Sequence, residues 1–147
     1  MSAIDPIDIL NRLLVMHHRS LARYLSYASP VWLRGDEPAK KVLEMIAAEQ
    51  QRFVDQLGEM IVENGGAVQF GSFPMSFTGY HDLSFGFLLD RLLEFHRRDV
   101  KVIEECVSLL GAAPLAKALA QEALGAARGH LELLEERKQG AADAGPR

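Results

Sequence analysis

Residues 65–81 read GGAVQFGSFPMSFTGYH and decide the fold, because they connect two halves of an otherwise helical sequence. The segment has no helical period and contains four glycines and one proline, yet it also carries four aromatic residues. We expect a loop packed along the surface rather than a free linker. Fully extended, such a segment reaches about 55 Å, longer than the ~40 Å of a 27-residue helix. It can therefore cross a whole helical bundle.

Apolar residues recur with a period near 3.6 on both sides of this segment, and that period predicts α-helices. Asp5 and Pro6 suit the first turn of the first helix, because the carboxylate can accept from free amides and proline fits the first helical position. Asp82 can cap the third helix in the same way. We expect four helices, covering approximately residues 5–28, 38–64, 82–110 and 114–139.

The lengths of the three connections predict how these helices are arranged. The first and third connections are short, which forces antiparallel neighbours, whereas the middle connection is long enough to return along the bundle. We therefore predict an all-α fold, a four-helix bundle of up-down-down-up topology with a long crossover between the second and third helices. One domain is expected over residues 1–139, followed by a flexible tail at 140–147.

Composition and charge exclude several classes of function. The net charge is −4 and the pI is near 5.7, so we expect no nucleic-acid partner and no membrane partner. No apolar stretch reaches about 18 residues, which predicts a cytoplasmic protein. The single cysteine, Cys106, lies among apolar residues and is interpreted as a packed thiol. Because no phosphate loop, Cys-x-x-Cys pair or activated nucleophile is evident, we predict no catalytic residue.

Four polar residues interrupt the apolar stripes of the predicted helices. A helical wheel places one of them at the centre of each stripe, in the order His17, Gln50, His96 and His130. Each lies about 11 to 14 residues from the end of the bundle at which the first hairpin turns. The four side chains therefore fall within one layer, and we expect them to meet at a common site.

Two interpretations of this layer remain open. In the first, no cofactor is bound, and the histidines are neutral core residues that bond to Tyr24, to Gln50 or to a buried water. In the second, His17, His96 and His130 bind one zinc, iron or copper ion, because three imidazoles with an open position suit these metals. A carboxylate beside the stripes could then supply a fourth ligand, and the candidates are Glu49, Asp99 and Glu122.

The predicted bundle, with its long crossover and mid-bundle polar layer, resembles the ferritin-like superfamily, and the runs FPMSFTGYHDLSF and ALAQEALGAARGHLELLEE are similar to small bacterial members. The resemblance covers nearly the whole chain. It implies a dimetal site with a glutamate on the first and third helices and a Glu-x-x-His pair on the second and fourth. At the matching positions this sequence has His17, Gln50, Phe53, His96, Ala127 and His130, so that only His130 keeps the family's residue.

The resemblance implies a function that the missing carboxylates modify. Two irons need bridging carboxylates to offset their charge, and the matched positions offer none. We therefore expect a degenerate ferritin-like protein, a structural or interaction module without ferroxidase activity that forms a homodimer. The alternative is a metal-binding protein with a histidine-rich centre, which the resemblance relates to iron handling or oxidative stress. Trp32 and the aromatics of the 65–81 segment are expected to cover a bundle end or to form a dimer contact.

Overall fold

A computed structural model describes residues 4–28, 30–80 and 83–143 of the chain. Within these ranges the backbone is helical, with no strand beyond an isolated bridge between Val31 and Ser84. None of the described helices is long and apolar enough to cross a membrane. The predicted all-α class is confirmed. The helices are α1 (Pro6–His18), α2 (Leu21–Ala28), α3 (Glu37–Glu63), α4 (Phe85–Leu109) and α5 (Pro114–Asp143), with a short 3-10 helix at Met75–Tyr80.

The predicted first helix is in fact two helices, because the helical conformation is interrupted at Arg19 and Ser20. The Ser20 hydroxyl accepts a hydrogen bond from the backbone N–H of Arg23 (3.2 Å), which is the bond expected of an N-cap at the start of α2. The same hydroxyl donates to the side-chain oxygen of Gln50 on α3 (2.5 Å). Ser20 thus both starts α2 and ties it to α3, and the prediction of one continuous helix to Ala28 is wrong.

The ends of the last two helices also differ from the prediction. Asp82, the predicted cap of the third helix, lies outside the described residues, and α4 begins at Phe85. Val31 holds this start in place, since its N–H donates to Leu83 O (2.8 Å) and its carbonyl accepts from Phe85 N (3.3 Å). The predicted helix end before Gly140 is wrong, because α5 continues to Asp143. A single glycine in a helix costs only about 1 kcal/mol relative to alanine and does not stop it.

The segment between α3 and α4 packs on α1, which agrees with the prediction of a packed surface loop. Asn11 is buried and replaces a missing backbone partner: its amide donates to Ala67 O (3.0 Å) and its side-chain oxygen accepts from Gln69 N (2.9 Å). Gly66 is required here, because a Cβ at that position would lie 2.6 Å from the Cγ2 of Ile7. These contacts satisfy loop backbone groups that packing removes from water.

The aromatic residues of this segment have mixed environments. Phe77 is buried, and its ring contacts that of Phe95 at 5.6 Å, whereas Phe70 is half exposed. Trp32, in the connection between α2 and α3, packs on Phe85 with ring centroids 4.9 Å apart. Most of these rings therefore cover the core, and Phe70 does so only partly.

The apolar core consists of two clusters. One contains residues from 9–14 of α1, 53–61 of α3, 100–110 at the end of α4 and 116–127 of α5, and includes the buried thiol of Cys106. The other contains residues from 21–25 of α2, 43–46 of α3, 85–93 of α4 and Leu134 of α5, together with Phe77. On α3, α4 and α5 a gap separates the two clusters, and on the N-terminal side the gap contains the break between α1 and α2.

Candidate functional site

A buried polar layer occupies the gap between the two apolar clusters. Its members come from α1, α3, α4 and α5, and each is about one twentieth exposed: His17, Gln50, His96 and His130. Buried polar groups are costly unless they are hydrogen-bonded, so each of these side chains needs a partner. The placement of all four in one layer agrees with their predicted heights.

Each histidine of the layer uses one ring nitrogen in a hydrogen bond. The Nδ1 of His17 lies 2.7 Å from Leu13 O, and the Nε2 of His96 lies 3.1 Å from Ala127 O. A carbonyl oxygen can only accept, so these two nitrogens carry the hydrogen, which leaves Nε2 of His17 and Nδ1 of His96 as acceptors in the neutral rings. The second nitrogens of both rings have no hydrogen-bond partner among the described residues.

His130 differs from the other two histidines in having a carboxylate partner. Its Nε2 lies 2.9 Å from the Oε2 of Glu49, which is about one third exposed. The other carboxylate oxygen of Glu49 lies 3.9 Å from a guanidinium nitrogen of Arg52. Because Glu49 is about one third exposed, we assign the pair less energy than a fully buried ion pair would have.

The three imidazole rings surround a cavity of about 10 Å³, which has room for approximately one water-sized sphere. The rings of His96 and His130 are 5.8 Å apart between centroids, and that of His17 is 5.8 Å from the ring of Phe53. Gln50 and Asp99 also line the cavity. The cavity is therefore small, and the imidazoles, Gln50 and Asp99 supply its polar groups.

Burial keeps two of these histidines neutral. Desolvation lowers the pKa of His17, and it lowers the pKa of His96 from 6.5 to about 4, with a further lowering from the charge on His130. The hydrogen bonds to Leu13 O and Ala127 O act in the opposite direction but do not compensate. At neutral pH the layer therefore contains uncharged imidazoles at these positions.

Asp99 has the opposite shift. Burial raises the pKa of its carboxyl group from 3.8 to about 7, and the positive charge of Arg19 only partly offsets that effect. Among the predicted fourth ligands, Asp99 lines the cavity and Glu49 bonds to His130, whereas Glu122 is exposed and is not part of the cavity wall. Tyr24, the other predicted neighbour, contacts the rings of Phe73 and Phe77.

The Asp99→Asn substitution should stabilise the protein by about 4 kcal/mol at pH 8 and have little effect at pH 4. The folded-state pKa lies above the unfolded value, so the cost of burying this carboxyl group appears as the pH rises from 3.8 towards 7. Urea denaturation of both proteins at the two pH values measures the difference. An equal effect at pH 4 and pH 8 would contradict the assigned protonation of Asp99.

Two buried residues at the α1–α2 break make polar contacts beside the layer that were not predicted. Ser20 fixes the side-chain oxygen of Gln50. Arg23 is buried. Its guanidinium group donates to the carbonyl of His18 at the end of α1 and to Gln51 Oε1 on α3 (2.6 Å). The apolar period gave no sign of either contact, since both depend on a change of chain direction.

The metal-ligand hypotheses have different outcomes. Across residues 4–28, 30–80 and 83–143, no group of three or more His, Cys, Asp or Glu side chains is placed so that it could hold a metal ion. The donor set at the layer does not fit the dimetal centre implied by the ferritin-like resemblance, because the one carboxylate that bonds to a layer histidine is about one third exposed and occupied by that bond. A single ion at His17, His96 and His130 stays a prediction.

Comparison with protein-family models finds no match to this chain, and comparison with curated proteins finds none either.

Proposed function

We propose that this protein is a ferritin-like helical scaffold that performs no dimetal redox chemistry and acts as a structural or interaction module in the cytoplasm. The observation that carries the proposal is the central cavity, which has a volume of about 10 Å³ and is lined by imidazoles already bonded to helix carbonyls or to Glu49. A dimetal site holds two ions about 3.5–4 Å apart and leaves space for the substrate. This cavity has room for neither.

The contacts along the chain support a ferritin-like arrangement. Gly66, just after α3, lies against Ile7 at the start of α1, whereas Ser84, just before α4, pairs with Val31, just before α3. The connecting segment thus travels from one end of α3 to the other before α4 begins. That path is the one expected if α3 and α4 run parallel, as in a bundle with a long middle crossover.

Aerobic addition of Fe(II) tests the absence of ferroxidase activity. We expect iron oxidation at the rate of a protein-free control, because no bridging carboxylate pair is available to hold two irons. The matched control is the His130→Ala variant, which removes the one residue that keeps the family's identity. Oxidation faster than in buffer, and slowed by His130→Ala, would overturn the proposal.

A homodimer is part of the proposal. The described surface exposes several large apolar residues close to the α3–α4 connection, among them Tyr27, Phe70 and Met75. Surface of this kind marks interaction sites in other proteins. Sedimentation analysis should give twice the mass of one chain, with dissociation on Met75→Glu. A monomer at all concentrations would remove the dimer from the account.

The second candidate function is binding of one metal ion at His17, His96 and His130, with a role in iron handling or oxidative stress. One observation favours it: every histidine of the layer is oriented by an outer hydrogen bond to a carbonyl or carboxylate, which is the usual arrangement of metal-bound imidazoles. Thermal melts with added zinc, copper or iron test it. This function would be favoured over the scaffold if one metal raised the melting temperature of the unchanged protein but did not raise that of His96→Leu.

A further inference from the structure

The unbonded nitrogens of the polar layer border space that water can reach. Among the described residues, Nδ1 of His18 is the one side-chain nitrogen or oxygen that is inaccessible to solvent and has no hydrogen-bond partner. The free nitrogens of His17, His96 and His130 therefore remain accessible to a water-sized sphere, although all three side chains are buried. All three histidines line the central cavity.

The hydrogen-bonding groups around the cavity are complementary to one water molecule. Neutral His17 and His96 each present one acceptor nitrogen, which matches the two O–H donors of water. The oxygen of Gln50 already accepts from Ser20, so its amide N–H groups remain as donors to a water oxygen. An amide N–H is a poor neighbour for a cation, and a metal ion would also need shorter distances than a water, about 2.1 Å instead of 2.8 Å to a nitrogen.

We propose that the cavity binds one water molecule, which donates to the free ring nitrogens of His17 and His96 and accepts from the amide of Gln50. This inference rests on the proposed scaffold function, in which the polar layer is structural. The water completes the hydrogen bonds of side chains from α1, α3 and α4, so it links these three helices at one level. Leaving the same nitrogens unpaired in a dry cavity would carry the full cost of their desolvation.

Magnetic relaxation dispersion of the water nuclei in a solution of the whole protein tests the proposal, because it counts internal waters with long residence times. The informative variant is Ala123→Val, since Ala123 is fully buried on α5 and lines the cavity. The matched control is Ala120→Val, which is equally buried on the same helix and does not line the cavity. We expect Ala123→Val to lose one long-lived water per chain and Ala120→Val to keep it.

A high-resolution crystal structure of the unchanged protein gives a second readout that does not depend on either variant folding. A density peak within about 2.7–3.2 Å of the imidazole nitrogens, without anomalous signal, supports the water. An equal dispersion signal in the unchanged protein and Ala123→Val, or no density in the cavity, overturns the inference and leaves the scaffold proposal standing. An anomalous peak from a metal at that position overturns both.

Discussion

When the pH is lowered from 7 to 4, the Asp99→Asn variant should lose about 3 kcal/mol more of its free energy of unfolding than the Asp99→Asn/His96→Leu double variant. The folded-state pKa of His96 is about 4, below its unfolded value of 6.5. As the pH falls, the unfolded chain therefore binds a proton at His96 at a higher pH than the folded protein does. The stability that depends on neutral His96 is complete above pH 6.5 and is lost as the pH falls towards 4.

The Asp99→Asn background is needed because Asp99 acts in the opposite direction. Its carboxyl group has a raised pKa, so in the unchanged protein acidification relieves the cost of burying it while His96 becomes costly. The two effects are of similar size and would nearly cancel in a single pH titration. Urea denaturation of Asp99→Asn and of Asp99→Asn combined with His96→Leu, each at pH 7 and pH 4, separates them. Parallel losses in the two variants would show that His96 is not the acid-sensitive group.

The His130→Ala variant should be less stable than the unchanged protein by about 2–3 kcal/mol when both are free of metal. The substitution removes a buried ring from the centre of the polar layer and leaves Glu49 without its partner. Thermal and urea unfolding in the presence of a chelator measure the loss. Arg128→Ala on the same helix is the control, because its exposed ion pair with Glu104 should contribute less than about 1 kcal/mol.

The opposite result would point to the second candidate function. If His130→Ala left the stability of the metal-free protein unchanged but abolished stabilisation by an added metal, the histidine would act as a ligand. A satisfied core histidine cannot give that pattern, since its contribution is present without metal.

The sequence was sufficient to predict the polar layer. His17, Gln50, His96 and His130 each stand at the centre of an apolar stripe, and a helical wheel together with rough helix lengths places them at one level. Burial follows from the stripe, and the lowered pKa values of His17 and His96 follow from burial. These properties depend only on the period, the lengths and the directions of the helices.

The hydrogen bonds within the layer could not be predicted in the same way. His17 turns back to the carbonyl of Leu13 on its own helix, whereas His96 reaches Ala127 on a neighbouring helix, and the choice depends on side-chain rotamers and on helix spacing. The break at Ser20 was hidden because apolar residues keep their helical period on both sides of it. Burial of Arg23 was equally hidden, since a charged residue is expected on the surface unless a specific partner is known.

The decisive measurement is elemental analysis of untagged protein, both as purified without chelator and after equilibration with excess Fe(II) and desalting. We expect no stoichiometric metal in the purified protein and none retained after iron loading, because the layer offers neutral His17 and His96 around a water-sized cavity and no pair of bridging carboxylates. Retention of two irons per chain would contradict the claim that this centre no longer holds a dimetal site.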